Sequence, residues 1–368
     1  MSDGKINPVL SPPSSSVGVI GWIRKSLFPS WYSGVVTVVL GYFIISSLIP
    51  FIDWAILKAD FIGDSPADCT SEGACWVFIG TRLDFFIYGF YPESEHWRVN
   101  IIYLIFGIII VPQFFSAVSA RIKMILGVFG VTVFPVLSFV MIYGSETFGL
   151  PIVGTSLWGG LTLTLILAYV GIVAAIPIGI LLALGRRSEM PLVRALCVVF
   201  IEFWRGVPLI TILFMASVML PLFLPDGVTF DRLLRALIGI TLFQSAYMAE
   251  VIRGGLQAIP KGQYEAAEAL GLGYWQGMGL IILPQALKIV IPGIVNTLIS
   301  LFKDTTLVLV IGLFDLLRAV QATIIDPAWR NVATEGYIFA AFAFWVFCYG
   351  MSRYSQMLER KLHTGHKR

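Results

Sequence analysis

Four consecutive polar side chains, Lys303, Asp304, Thr305 and Thr306, stand inside the otherwise apolar run 289–313. If that run crosses a bilayer, a charge at such depth costs about 2.5–3.5 kcal/mol, so these groups must face other helices or a wet path. Neighbours along a helix do not point the same way, so Lys303 and Asp304 each need a partner on another element or must reach toward water. Two roles are open to the set: lining or gating a path for a polar solute, or forming a structural network that holds a kink near Pro292. Gln244 poses the same choice within the run 233–251. Glu250 and Arg253, and again Glu202 and Arg205, are spaced to pair on one helix face. They read as a polar collar with hinge and gate-anchoring duties; substrate contact is the other assignment.

No catalytic or metal chemistry is expected beside these groups. His96, His363 and His366 sit in a loop or the tail, Cys197 and Cys348 sit inside apolar runs, and the four cysteines lack zinc spacing. Neither loops nor span ends gather a His/Asp/Glu or Ser/Lys set, so the chain does not read as an enzyme. Gly271, Gly273, Gly277 and Gly279 are not followed by the lysine and hydroxyl of a phosphate loop, so ATP is expected to bind elsewhere. Cys69 and Cys75, in ADCTSEGAC, either close a small disulfide loop or stay as two thiols packed on nearby aromatics.

The elements that must position these residues are membrane spans. With 57% hydrophobic and 13% charged residues and a mean hydropathy of +0.86, the chain has too little polar surface for a soluble fold. The fold class is all-α and polytopic, with about eight transmembrane helices at 31–52, 101–118, 122–143, 157–184, 196–223, 233–251, 289–313 and 337–357. The fifth is crowded at its start by Glu202, Arg205 and Pro208. The organisation expected is an N-terminal segment 1–30, three spans with a long loop 53–98 within 31–150, a five-span core at 155–358, and a tail 359–368. The Ser/Pro-rich start is not expected to fold alone and does not read as a cleaved signal.

Net charge is +3, and the basic residues mark span ends instead of forming a stripe, which invites no nucleic-acid reading. Arg24, Lys25, Arg121, Lys123, Arg186, Arg187, Arg194, Arg253, Lys261, Arg360, Lys361, Lys367 and Arg368 fall on one side, which is therefore cytoplasmic, as are both termini. The other side carries the acid-rich loop 53–98 and shorter loops around Glu146, Asp226 and Asp326.

Within the cytoplasmic loop 257–285, YEAAEALG is built from helix formers, and Ala266, Ala269, Leu270 and Gly273 share one narrow face while Glu265 and Glu268 stay wet. Gly271 and Gly273 permit a reversal, a second helical stretch follows from Tyr274 to Ile282, and Pro284 is expected to interrupt the ladder before the next span. The shape is a small helical hairpin with a smooth face for close approach; an ordinary amphipathic loop at the interface is the alternative.

These residues also carry a resemblance. Glu265, Ala266, Ala267, Gly271, Ile281, Leu283 and Pro284 match the EAA signature of the membrane permease subunits of ATP-binding-cassette importers. The stretch YMAEVIRGGLQAIPKGQYEAAEALG, with EFWRGVPL at 202–209 and LFKDTTLVLVIG at 301–312, is similar to the polar amino-acid branch, although Thr306 stands where that branch usually has serine. The resemblance covers about 155–358, and the extra spans resemble the longer permease of general L-amino-acid systems. It implies a subunit importing L-amino acids of broad or acidic/amide type. The hairpin (Glu265, Ala266, Ala267, Gly271, Pro284) would be the coupling element for an ATPase that holds ATP and Mg2+. The implied partners are two copies of that ATPase, a second permease forming a heterodimer, a periplasmic amino-acid-binding protein and the lipid bilayer. An ion-coupled secondary transporter of small polar solutes is the rival class, but no second copy of the Lys-Asp-Thr-Thr stretch is present.

Overall fold

The computed structural model describes residues 18–362 except 224, 226–229 and 330. Residues 1–17, Asp226, His363, His366, Lys367 and Arg368 lie outside the described residues. Apart from the two-residue strand Phe314–Asp315, regular structure among the described residues is helical, and the chain is an all-helical membrane protein. It packs as two compact units, Met1–Phe78 and Ile79–Arg368.

The first unit contains α1 (Gly18–Leu27) and α2 (Trp31–Ile52), the latter continuing through a π turn at Asp53–Leu57. Ser30 caps α2 by accepting from the N–H of Ser33. No residue of α2 is buried, and its apolar character runs all round, as suits a helix bathed in lipid. Beyond it the chain folds back: the N–H of Asp60 donates to the carbonyl of Ala74 (2.9 Å) and that of Trp76 to the carbonyl of Asp60 (2.8 Å). Cys69 and Cys75 are bridged there, with Cα atoms 5.5 Å apart. Hydrogen bonds from Ser71 hold the Asp60 carboxyl below the usual carboxylate range, and those from Asp64 and Ser65 do the same for Asp68.

The second unit begins within α3 (Val77–Tyr88), a helix inside the loop expected at 53–98. It is followed by α4 (His96–Phe114), α5 (Ala120–Tyr143), α6 (Gly160–Arg186), α7 (Pro191–Gly206), α8 (Leu209–Phe214) and α9 (Arg232–Ala258). After these come α10 (Lys261–Ala269), α11 (Tyr274–Gly277), α12 (Leu283–Asp304), α13 (Leu316–Ile324) and α14 (Ala333–Leu362). The centre is α6 against α9. A Cβ at Gly179 would stand 2.7 Å from Cγ of Met248, and one at Gly255 would stand 2.7 Å from the carbonyl oxygen of Ala286 on α12. Such small residues let helix backbones close up where lipid offers no hydrophobic drive for association. The pair α4–α5 joins α6 through Tyr103, whose hydroxyl lies 2.7 Å from that of Thr162, and through Tyr169, whose hydroxyl donates to the carbonyl of Gly130. Beyond the 3-10 segment at Thr305–Ile311 that follows α12, the strand Phe314–Asp315 pairs with Gly159 and Gly160 at the start of α6.

Among the described residues five helical stretches are long and apolar enough to cross a membrane: Trp31–Leu57, Glu93–Phe114, Ala120–Tyr143, Gly160–Arg186 and Tyr274–Ile311. A sixth arises if the pair Pro191–Gly206 and Leu209–Phe223 counts as one span. That pair stands where the fifth span is expected at 196–223 and is bent by 99°. The cause is Pro208, whose ring disfavours the helical state of the residue before it; Val207 accordingly sits at φ −109°, ψ 132°. At Pro284 the opposite correction applies. The expected interruption is absent, because a π turn at Met278–Ile282 precedes it and Pro284 occupies the first turn of α12, where a missing N–H is tolerated.

Candidate functional site

The hairpin α10–α11 is closed by a backbone device. Gly271 takes φ +74°, its N–H donates to the carbonyl of Glu268 (2.8 Å), and the N–H of Leu272 donates to that of Ala267 (3.2 Å). This is the Schellman pattern, with glycine at the left-handed position just past the helix end. Of the EAA residues, Ala267 is buried (4% exposed), while Glu265 and Ala266 are exposed, as are Glu268, Ala269 and Leu270. Ala267 therefore belongs to the inside of the hairpin, where a Cβ on Gly277 would meet its methyl at 3.3 Å. The outward face is Ala266, Ala269 and Leu270, as the helical spacing predicts. The hairpin is tied down by Arg187, whose guanidinium donates to the carbonyl of Leu256 and to the hydroxyl of Tyr264, both at 2.9 Å. Gln285 adds a bond to Gln263 at 3.0 Å.

Three arginines converge on Glu250. Arg253 makes the expected i, i+3 pair (2.7 Å), Arg186 approaches to 2.6 Å, and Arg205 stands at 3.7 Å with its guanidinium over the Tyr247 ring. The expected Glu202–Arg205 pair is not made: Glu202 binds Arg186 at 2.9 Å instead. Arg186 ends α6, and sequence reasoning placed it only as a marker of topology. Its role as the bridge between α6, α7 and α9 depends on which helices meet, and no local spacing reports that.

The polar groups of the spans separate into two kinds. Gln244 is buried (2% exposed) and donates to the carbonyl of Thr297 at 2.8 Å, fastening α9 to α12. Thr305, fully buried, and Thr306 turn their hydroxyls back to the carbonyls of Phe302 and Lys303, at the change from α to 3-10 helix. Lys303 is exposed and Asp304 half-buried. Of the two expected arrangements, a partner on another span or a reach toward water, the first is not seen: among the described residues neither makes an ion pair or a side-chain hydrogen bond, and Lys303 stands exposed. Nearby, Asp315 is fully buried and caps α13 by accepting from the N–H groups of Leu317 and Arg318 at 3.1 Å. Burial pushes its carboxyl up to about 6 despite those bonds. Sequence reasoning passed over it, although an Asp before a helical run is a cap signature.

Residues 175–364 match the family described as the binding-protein-dependent transport system inner membrane component. The chain is 56% identical over 344 residues (94% of it, 93% of the relative) to the inner membrane amino-acid ABC transporter permease protein YhdY of Escherichia coli strain K12. It is 38% identical over 422 residues (96% of each) to the glutamate/glutamine/aspartate/asparagine transport system permease protein BztC of Rhodobacter capsulatus. To the probable amino-acid ABC transporter permease protein YckA of Bacillus subtilis strain 168 it is 37% identical over 202 residues, 55% of this chain and 87% of that one. The chain belongs to the family of binding-protein-dependent inner membrane components. It is the permease subunit of an amino-acid ABC importer, a multi-pass and non-catalytic membrane component whose class implies ATPase and binding-protein partners.

Proposed function

We propose that the chain moves acidic L-amino acids and their amides from periplasm to cytoplasm, driven by ATP hydrolysis in a partner to which it couples through α10. The observation that carries the coupling is the outward face of the hairpin. Ala266, Ala269 and Leu270 stand exposed on a helix that is stapled to the bundle by Arg187 and ended by Gly271. Small side chains on a braced helix offer a rigid surface to a groove. The substrate class rests on the name of the relative BztC, which spans nearly the whole chain. ATP and Mg2+ belong to the ATPase, present in two copies. A second permease completes a heterodimer, and a periplasmic binding protein delivers the amino acid. Lys303 and Asp304, polar and unpaired in the single chain, suit a path lined jointly with that second permease.

Eight spans follow if α9 and α14 also cross. With 27 and 30 residues they reach roughly 40 and 45 Å, against a hydrocarbon core of about 30 Å. Both termini are then cytoplasmic, and the Cys69–Cys75 loop faces the periplasm. The three N-terminal spans (31–150) serve assembly, and the core at 155–358 carries transport. The test is uptake by the reconstituted complex of labelled glutamate, glutamine, aspartate and asparagine with ATP inside the vesicles. Uptake should require the ATPase subunit and survive an uncoupler. Uptake without the ATPase that an uncoupler abolishes would instead make the chain an ion-coupled carrier.

A further inference from the structure

Where α6 ends, a cavity of about 550 Å3 opens between α6, α7 and α9, lined by Arg186, Arg187, Arg194, Val198, Arg253 and Gln257. Four guanidiniums line one space. The carboxylates that answer them are Glu250, on Arg186 and Arg253, and Glu202, on Arg186. Arg187 is held only by neutral oxygens, those of Leu256 and Tyr264, and the Arg194 side chain has no partner among the described residues. The cavity thus keeps a surplus of positive charge, in the side chain whose planar fork matches phosphate oxygens two at a time.

Its depth identifies the anion. Leu181, five residues before Arg186 on α6, is 64% exposed, and along α7 the residues Leu192, Leu196, Val199 and Phe203 form one exposed apolar stripe. The same turns of α7 that place Arg194 and Val198 at the cavity therefore carry an exposed apolar surface on their other side. An exposed apolar stripe running beside four guanidiniums is the placement expected where hydrocarbon gives way to headgroups. Basic pockets between membrane helices at this depth suit anionic headgroups. We infer that the cavity binds the headgroup phosphate of an anionic phospholipid, with Arg187 and Arg194 as its principal ligands. Because Arg187 also braces Tyr264 on α10, an occupied site would pull on the hairpin's anchor. That consequence rests on the coupling proposed above; the binding itself does not.

The experiment titrates the full detergent-solubilised chain with phosphatidylglycerol, phosphatidylcholine and inorganic phosphate, counting retained lipid by native mass spectrometry. Phosphatidylglycerol should be retained in preference to phosphatidylcholine, and Arg187→Gln with Arg194→Gln should weaken its retention about 30-fold, the attraction of two basic residues at an anionic surface. Arg24→Gln with Lys25→Gln, the same change in net charge elsewhere, should leave retention unaltered. Arg194→Gln alone, which breaks no side-chain bond among the described residues, should weaken retention about fivefold and covers the case in which the double variant fails to fold. Equal losses in the Arg24/Lys25 control, unchanged retention in both cavity variants, or displacement of the lipid by equimolar inorganic phosphate would each overturn the assignment. ATP-driven uptake that ignores phosphatidylglycerol content while lipid binding holds would sever only the link to α10.

Discussion

Gly271 separates two explanations of the same residue. One is steric: a partner's surface presses so close that no side chain fits. The other is conformational: only glycine adopts φ +74° without strain. A Cβ built on Gly271 meets nothing within 4 Å in this chain, so a substitution here adds conformational strain without internal collision. The left-handed state costs an ordinary L residue about 1–2 kcal/mol, whereas asparagine visits it more readily. If the Schellman bonds from Gly271 and Leu272 loosen as well, each adds about 1 kcal/mol. From the backbone strain alone the hairpin's closed population should fall relative to open forms by roughly 5- to 30-fold for alanine, more for valine and least for asparagine, and loosening of those bonds would deepen the fall. The assay is capture of the ATPase subunit by the solubilised permease together with ATP-driven uptake, both scaled to membrane abundance. The expected order is Gly, Asn, Ala, Val. Asparagine is larger than alanine, so the order Gly, Ala, Asn would refute the conformational account and favour steric contact with the partner. Full activity of Gly271→Val would refute both.

The two central alanines of the signature should part company: Ala267→Leu crowds Gly277 and should destabilise the hairpin by about 1–3 kcal/mol, read as faster proteolysis within 261–282. Ala266→Leu, on the exposed face, should leave that rate unchanged and weaken ATPase capture; equal proteolysis in both variants would contradict the assigned faces. Gln244→Leu removes the bond to Thr297 and should cost about 0.5–1.5 kcal/mol in thermal stability with an unaltered order of substrate preference; a changed preference would place Gln244 on the path. Asp315 is raised from 3.8 to about 6, so its native form binds the proton more tightly than the unfolded one. The resulting stabilisation, about 3 kcal/mol, is complete below pH 3.8 and lost as pH rises through about 6. The melting temperature of the native chain minus that of Asp315→Asn should therefore decline across this window, and a flat difference would mean that the carboxyl is not raised.

Much was legible in the chain before any contact was known, because it depends on neighbours within a few residues. Long apolar runs must be helices in lipid, where every backbone polar group needs an internal partner, and α4, α5 and α6 fall within a few residues of their expected places. Gly271 could be read as a helix end and Glu250–Arg253 as a pair, since both are local geometry. What the fold alone decided came from elements brought together across long stretches of chain. Glu202, Arg205 and Pro208 marked the fifth run as crowded at its start, and Pro208 explains why α7 stops, but the 99° angle between the two halves could be read only from the fold. Helical spacing put Ala266 on one narrow face and the signature made Ala267 a coupling residue beside it, yet Ala267 is buried, because only the return of α11 makes one side of the hairpin an inside. Arg186 takes both Glu202, 16 positions away, and Glu250, 64 positions away, displacing the local partner Arg205. A guanidinium with several donors goes where the bundle gathers carboxylates, and periodicity along one helix carries no information about that meeting.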